Sequence, residues 1–159
     1  MFIAMAEDIR VIFIKLSDRL HNMRTLKNHP KKHKRERIAF ETLNIYAPIA
    51  DRLGLFNIKN ALEEECFKIL DSENYKKIKK DLTSLKEEID VFTKEAASEI
   101  HKALDEANIS NYSIDYRVKS IYSIHKKIQR KGMDSAKQLY DLFGIRIIVS
   151  DIEDCYKAL

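Results

Sequence analysis

Glycine and proline are scarce: the 159 residues include three Gly and two Pro. That excludes long flexible linkers and low-complexity tails. A glycine-rich phosphate loop of the Walker kind is also missing. Cysteine is equally sparse. Cys66 and Cys155 lie far apart and form no C-x-x-C pair, which argues for two buried, reduced thiols over a disulfide or a metal role. No apolar run approaches the roughly 20 residues that cross a bilayer. The opening MFIAMAEDIR carries Glu7 and Asp8 and no basic leader, so it does not read as a signal peptide. These absences point to a cytoplasmic chain with no membrane contact.

What is present is charge and helical periodicity. Hydrophobic residues make up 45% and charged residues 34%, as in a helix-rich globular protein. The net charge of +4 is uneven. KNHPKKHKRER (27–37) holds six Lys or Arg against one Glu, a local +5, so the remainder sums to −1. A solvated helix start and an attraction for a phosphate-bearing ligand or RNA both fit such a patch. His29 and His33 have a metal-binding spacing, but Pro30 and the surrounding cations argue against a site.

Ile9, Ile12, Phe13, Leu16, Leu20 and Met23 recur at helical spacing, predicting an amphipathic helix over about 7–27. A second helix is expected from near Lys34 through Tyr46, ended or kinked at Pro48, with a turn at Gly54 and a third helix over about 57–70. Tyr75, Ile78, Leu82, Leu85, Ile89, Phe92 and Ala96 alternate by three and four. Followed by Ile100 and Leu104, they predict one helix of roughly 30 residues, packed within the protein or paired as a coiled coil. The period then changes to two in YSIDYRV, which reads as a strand. A short helix over about 120–131 ends at Gly132. GIRIIVSD (144–151) reads as a buried strand, and IEDCYKAL opens another helix. Such a βαβα run is too short for a complete sheet domain, so the chain reads as truncated at its C-terminus.

Two constellations stand out. In KLSDRLHNMRTL, Asp18, Asn22 and Thr25 fall within about 60° on a helix, with Lys15 at the edge and Leu16, Leu20 and Met23 opposite. One carboxylate, one amide and one hydroxyl on a shared face suit a metal or a hydrogen-bonding ligand, although exposed faces are routinely polar. In RVKSIYSIHKK, Lys119, Ser123 and Lys127 are each about one turn apart and stack on one helix face, with Arg117 leading in from the strand. Two amines, a hydroxyl and a guanidinium near a helix N-terminus suit a polyphosphate, and a basic surface helix suits the pattern as well. Asp141, just before the second strand, is placed to hold Mg²⁺ against phosphates. Arg146 inside that strand supports the site or pairs with a neighbouring acid.

These words resemble the RelA/SpoT family of (p)ppGpp synthetase/hydrolases. KLSDRLHNMRTL is similar to the end of its HD-type hydrolase domain, and YAPIADRLGLFNIKNALEEECFKIL to the helices that follow. YRVKSIYSIHKKIQRK with LYDLFGIRIIVSDIEDCY is similar to the opening of its synthetase domain. The resemblance implies a helical bundle leading into a mixed-sheet, nucleotidyltransferase-like α/β portion. Residues 1–30 would end the hydrolase domain, 31–72 would connect, and 73–159 would begin the synthetase. It further implies transfer of pyrophosphate from ATP to the 3′-OH of GTP or GDP with Mg²⁺, and hydrolysis of the 3′-pyrophosphate of (p)ppGpp with Mn²⁺. By motif, Asp18 matches the Mn²⁺ ligand, and Asn22 and Thr25 match guanine-nucleotide contacts. Arg117 matches the residue packed on adenine; Lys119, Ser123 and Lys127 match the phosphate-facing group. Asp141 matches the Mg²⁺ carboxylate, which with Lys127 would act in catalysis.

There are departures. The family's His and His-Asp metal ligands would lie upstream of this sequence, and its catalytic Glu beyond Leu159. The chain alone is therefore expected to be inactive, and ribosome contact would belong to other domains. Tyr116 stands where the family has Gly, so it either reshapes the adenine wall or packs on the far face of the strand. From another class, a non-catalytic helical module that binds nucleotide or RNA remains the competing reading.

Overall fold

The computed structural model describes residues 8–159. Glu7, where the sequence places the first helix start, lies outside them. The chain divides into two units, one ending at Lys76 and including Ser120–Tyr122, the other formed by Lys77–Lys119 and Ser123–Leu159.

The first unit is helical. Asp8 caps helix α1 (Ile9–Thr25) by accepting a hydrogen bond from the Arg10 amide at 2.9 Å. A 3₁₀ turn (Leu26–Asn28) leads past Pro30 to α2 (Lys32–Glu41), which starts two residues earlier than expected. Pro48 does not end this helix. A π-helical turn (Thr42–Tyr46) comes first, with Ala47 N–H donating to the Thr42 carbonyl, and α3 (Ala47–Arg52) follows with Pro48 in its first turn. The wider turn fits a ring that lacks an N–H and would crowd an ordinary helix interior. Gly54, at φ +70, turns the chain into α4 (Phe56–Leu70). Leu16, Met23, Ala39, Tyr46, Ala47, Ala50, Leu62 and Cys66 fill the core between these helices. Burial pushes the Cys66 thiol up to about 12, with the nearby Glu65 and Glu63 charges adding to the effect. The expectation of two buried thiols fails at Cys155, which is exposed on the short last helix.

The single long helix expected over 75–104 is two: α5 (Ser72–Ser84) and α6 (Lys86–Glu106), broken at Leu85, where ψ is −4. The Thr83 and Ser84 hydroxyls donate to the carbonyls of Lys79 and Asp81 just before the break. Such bonds compete with the helical ladder. Further along the stripe, Phe92 packs on Phe143, ring centroids 5.3 Å apart, so it is used within the unit.

Strands β1 (Tyr112–Val118) and β2 (Phe143–Val149) pair antiparallel, Tyr112 opposite Val149 and Val118 opposite Phe143. Between them α7 (Ile121–Lys131) ends at Gly132, φ +62, and a 3₁₀ turn (Ala136–Gln138) follows. β2 is not the buried strand its composition suggests: its residues alternate between partly buried and exposed. A two-stranded antiparallel sheet can leave one face to water. Helix α8 (Ile152–Lys157) begins after Asp151, whose side chain accepts from the Asp154 amide.

Candidate functional site

In the first unit, Leu16 and Met23 are sunk in the core and turn the other face of α1 outward. Asp18, Asn22 and Thr25 are all exposed on that face. Asn22 Nδ2 donates to Asp18 Oδ2 at 3.2 Å, and Thr25 Oγ1 donates to the Asn22 carbonyl at 3.1 Å. The stripe is thus held by its own helix. Arg19, between its members in sequence, turns inward to Glu41 at 2.9 Å and lies 4.1 Å from the centre of the Tyr46 ring. Among the described residues no three His, Cys, Asp or Glu gather as a metal would need. One carboxylate with an amide beside it does not by itself complete a Mn²⁺ site.

The basic segment also lies in this unit. Lys27, Lys32, Arg35 and Lys68, with Glu36, Ile69 and Ser72, line a cavity of about 300 Å³. Most of its cations are engaged: Arg35 donates to the His29 carbonyl at 2.9 Å, and Lys68 pairs with Glu64 and Glu65. His29 and His33 do not share a helix, since α2 begins at Lys32, and His29 Nδ1 accepts from the Lys31 amide.

In the second unit the expected residues come from four places and most of them meet. Lys119 precedes α7 instead of lying on it, and its N–H donates to the Leu142 carbonyl at 2.8 Å. That bond joins the end of β1 to the segment carrying Asp141. Lys127 comes from the second turn of α7. Both ammonium groups reach the same oxygen, Oδ2 of Asp141. The Lys119 hydrogen bond, then that of Lys127, hold the Asp141 carboxyl far below the usual carboxylate range. Lys119, Ser123, Lys126, Lys127 and Arg130 line a cavity of about 440 Å³.

Lys126 and Arg130 were not among the residues singled out from the sequence. Their spacing of three and seven from Ser123 was the available signal. Asp81 on α5 was missed too. Its Oδ2 accepts from Ser135 Oγ at 2.6 Å and from the Ala136 amide at 3.2 Å, pinning the turn ahead of Asp141. No sequence spacing could reveal a tie across so many residues.

Arg117 is not part of the cavity lining. It stands on the outer face of β1 opposite Gly144, where nothing approaches within 4 Å of the Cβ position. Tyr116, opposite Ile145, alternates to the other face and is exposed there. Arg146 lies across from Asp115 in the register, an acid of the kind expected beside it. Mg²⁺ commonly takes one or two carboxylates together with substrate phosphates and water. One carboxylate flanked by two phosphate-seeking amines fits that division.

Comparison with known proteins adds the decisive observation. An HD domain model matches residues 1–56, and a model of the region found in RelA / SpoT proteins matches residues 116–159. A GTP pyrophosphokinase of Myxococcus xanthus is 42% identical over all 159 residues. The chain resembles the RelA/SpoT family. A guanosine-3′,5′-bis(diphosphate) 3′-pyrophosphohydrolase of Aquifex aeolicus is 40% identical, and a GTP pyrophosphokinase of Streptomyces coelicolor 42% identical, each across the whole chain. The chain covers 21%, 23% and 18% of these three RelA/SpoT relatives, about a fifth of their length. No helix among the described residues is long and apolar enough to cross a membrane.

Proposed function

We propose that this chain is the central part of a cytoplasmic enzyme that makes and breaks (p)ppGpp. Residues 1–30 would contribute the end of the hydrolase domain, 31–72 the connecting helices, and 73–159 the opening of the synthetase domain. One observation supports the reading above others: Lys119 and Lys127, which line one cavity, both reach Asp141, and each of the three was singled out by motif.

In synthesis, the β,γ-pyrophosphoryl group of ATP passes to the ribose 3′-OH of GTP or GDP. Lys119 and Lys127 take the phosphates, as compact cations suited to spread charge. Ser123 adds a hydroxyl from the same helix face, and Arg117 supplies a guanidinium plane for the adenine. Asp141 would hold Mg²⁺, which would supply positive charge against the phosphates. On the hydrolase side, Asp18 is the assigned Mn²⁺ ligand, with Asn22 and Thr25 contacting the guanine nucleotide. The donors described in this chain do not complete that metal site. The chain by itself is expected to catalyse neither reaction, and any ribosome contact would come through other domains.

The test is ATP binding to the 159-residue chain by calorimetry in Mg²⁺, at two salt concentrations. Weak binding that falls with salt is expected. Lys119→Ala with Lys127→Ala should weaken it on the order of a hundredfold, since each removes a charge-assisted phosphate contact. Unchanged affinity in the double variant would contradict the placement of the phosphates.

A further inference from the structure

The basic run over residues 27–37 has no role in either reaction, yet it folds into the wall of a cavity in the first unit. Lys27, Lys32, Arg35 and Lys68, with Glu36, Ile69 and Ser72, enclose about 300 Å³, and none of Asp18, Asn22 and Thr25 lines it. Lys27 follows Thr25 by two residues, about half a turn further round, so it leaves on the side away from the Asp18 stripe. The four cations are committed to different degrees. Lys68 is held by Glu64 at 3.1 Å and Glu65 at 2.8 Å and serves as wall. Arg35 gives only its Nη1, to the carbonyls of Lys27 at 3.4 Å and His29 at 2.9 Å. A carbonyl does not cancel a charge, so these bonds fix the guanidinium and leave its Nε and Nη2 available. The Lys27 side chain has no hydrogen bond or ion pair among the described residues. Lys32 meets Glu36 only at 3.7 Å, an exposed pair of little strength. Ser72 adds a hydroxyl at the start of α5, and the Asp71 carboxylate beside it is taken up by Asn74.

We propose that this cavity binds a diphosphate group, at a site separate from both reaction faces. The inference does not depend on the (p)ppGpp reading. Arg35 is the anchor, because its fork fits two phosphate oxygens at once and its orientation is already set. Lys27 and Lys32 are compact cations on flexible stems, able to close on the remaining oxygens. The lining cations outnumber the single lining carboxylate, Glu36, by four to one, which selects an anion of high charge. A single phosphate would satisfy the Arg35 fork and leave one of the two lysines without a partner. A diphosphate presents oxygens to all three. The volume is at the small end for ligand pockets, so a nucleoside attached to the diphosphate would stay outside.

The experiment is calorimetric titration of the 159-residue chain carrying Lys119→Ala and Lys127→Ala, which removes the competing phosphate contacts of the second unit. The ligands are inorganic pyrophosphate, inorganic phosphate and ADP, each at one fixed ionic strength because the contacts are salt-sensitive. Pyrophosphate should bind, and phosphate should bind about tenfold more weakly. Adding Lys27→Ala, an exposed side chain, should weaken pyrophosphate about tenfold, the order of one charge-assisted contact. Arg35→Lys keeps the charge and loses the fork, and should weaken it by a similar factor, with circular dichroism to confirm folding. Amide NMR shifts on adding pyrophosphate should concentrate at Lys27, Arg35 and Ser72. ADP that binds with the same dependence on Lys27 assigns the diphosphate to a nucleotide; binding of pyrophosphate without ADP assigns it to the free anion. The proposal is overturned if pyrophosphate does not bind, if phosphate binds equally well, or if both Lys27→Ala and Arg35→Lys leave pyrophosphate affinity unchanged. A short single-stranded RNA that binds through Lys27 where pyrophosphate does not would likewise overturn it and make the patch an RNA surface.

Discussion

Asp18 and Asp141 are each proposed to hold a divalent cation, and the two units position them in different ways. Asp18 rides on a helix whose opposite face is sunk in a core of fully buried Leu16, Leu62 and Cys66, and its polar partner Asn22 is one turn away on the same helix. Its position comes from packing. Asp141 lies in a connection just before β2 and is half exposed; its partners arrive from the end of β1 and from α7. Its position comes from charge pairing and from a turn pinned by Asp81. One unit presents its carboxylate from a rigid scaffold, while the other assembles its site from loops and helix ends that ion pairs hold together. A site of the second kind can exchange partners when a ligand arrives, and a packed helix face has no comparable freedom.

Three changes would sharpen or break that contrast. The largest effect is expected at Leu62, fully buried among the first unit's helices. Leu62→Ala should cost about 3 kcal/mol in chemical denaturation, combining lost burial with the cavity left behind. A cost below about 1 kcal/mol would mean that packing does not hold the Asp18 helix. Next is Asp81→Ala, which removes the acceptor of two hydrogen bonds to the 135–136 turn. A loss of about 1–2 kcal/mol is expected, together with faster amide exchange at Ala136. Unchanged exchange would separate this turn from Asp81.

The smallest effect is a titration. Because the folded Asp141 carboxyl is depressed below its ordinary 3.8, the stability it contributes is present above that value and disappears as pH falls through the lower folded value. Carbon NMR should find Asp141 still ionised at pH 3.8. In Lys119→Ala its midpoint should move up towards the ordinary value. A wild-type midpoint at the ordinary value would mean that the lysines do not hold it.

Much of this was legible beforehand, for reasons that differ by element. The face of α1 followed from the spacing of Leu16 and Met23, since a stripe of apolar residues determines which side faces out. Gly132 marked the end of α7 because its positive φ suits a residue without Cβ. Other features left no periodic trace. An apolar pattern of threes and fours runs through Leu85 unchanged, although a one-residue turn there, with ψ at −4, separates α5 from α6. Pro48 announced a disturbance but not that a π-helical turn would absorb it. The exposure of β2 depends on how few strands and helices cover it, which its own composition cannot express. Lys119, Lys127 and Asp141 could be named by motif, but their convergence on one carboxylate oxygen needed the fold.

The most direct test of the central claim is a chimera in which this chain replaces the matching segment of the Myxococcus xanthus GTP pyrophosphokinase, a segment 42% identical to it over all 159 residues. Synthesis and hydrolysis of ppGpp are then assayed with Asp18→Ala and Asp141→Ala placed in it. The account predicts that the chimera synthesises ppGpp and that Asp141→Ala abolishes synthesis while Asp18→Ala leaves it. Where hydrolysis is measurable, the dependence should reverse. A folded chimera whose synthesis survives Asp141→Ala, or is lost with Asp18→Ala alone, would contradict the assignment of the two carboxylates to two separate reactions.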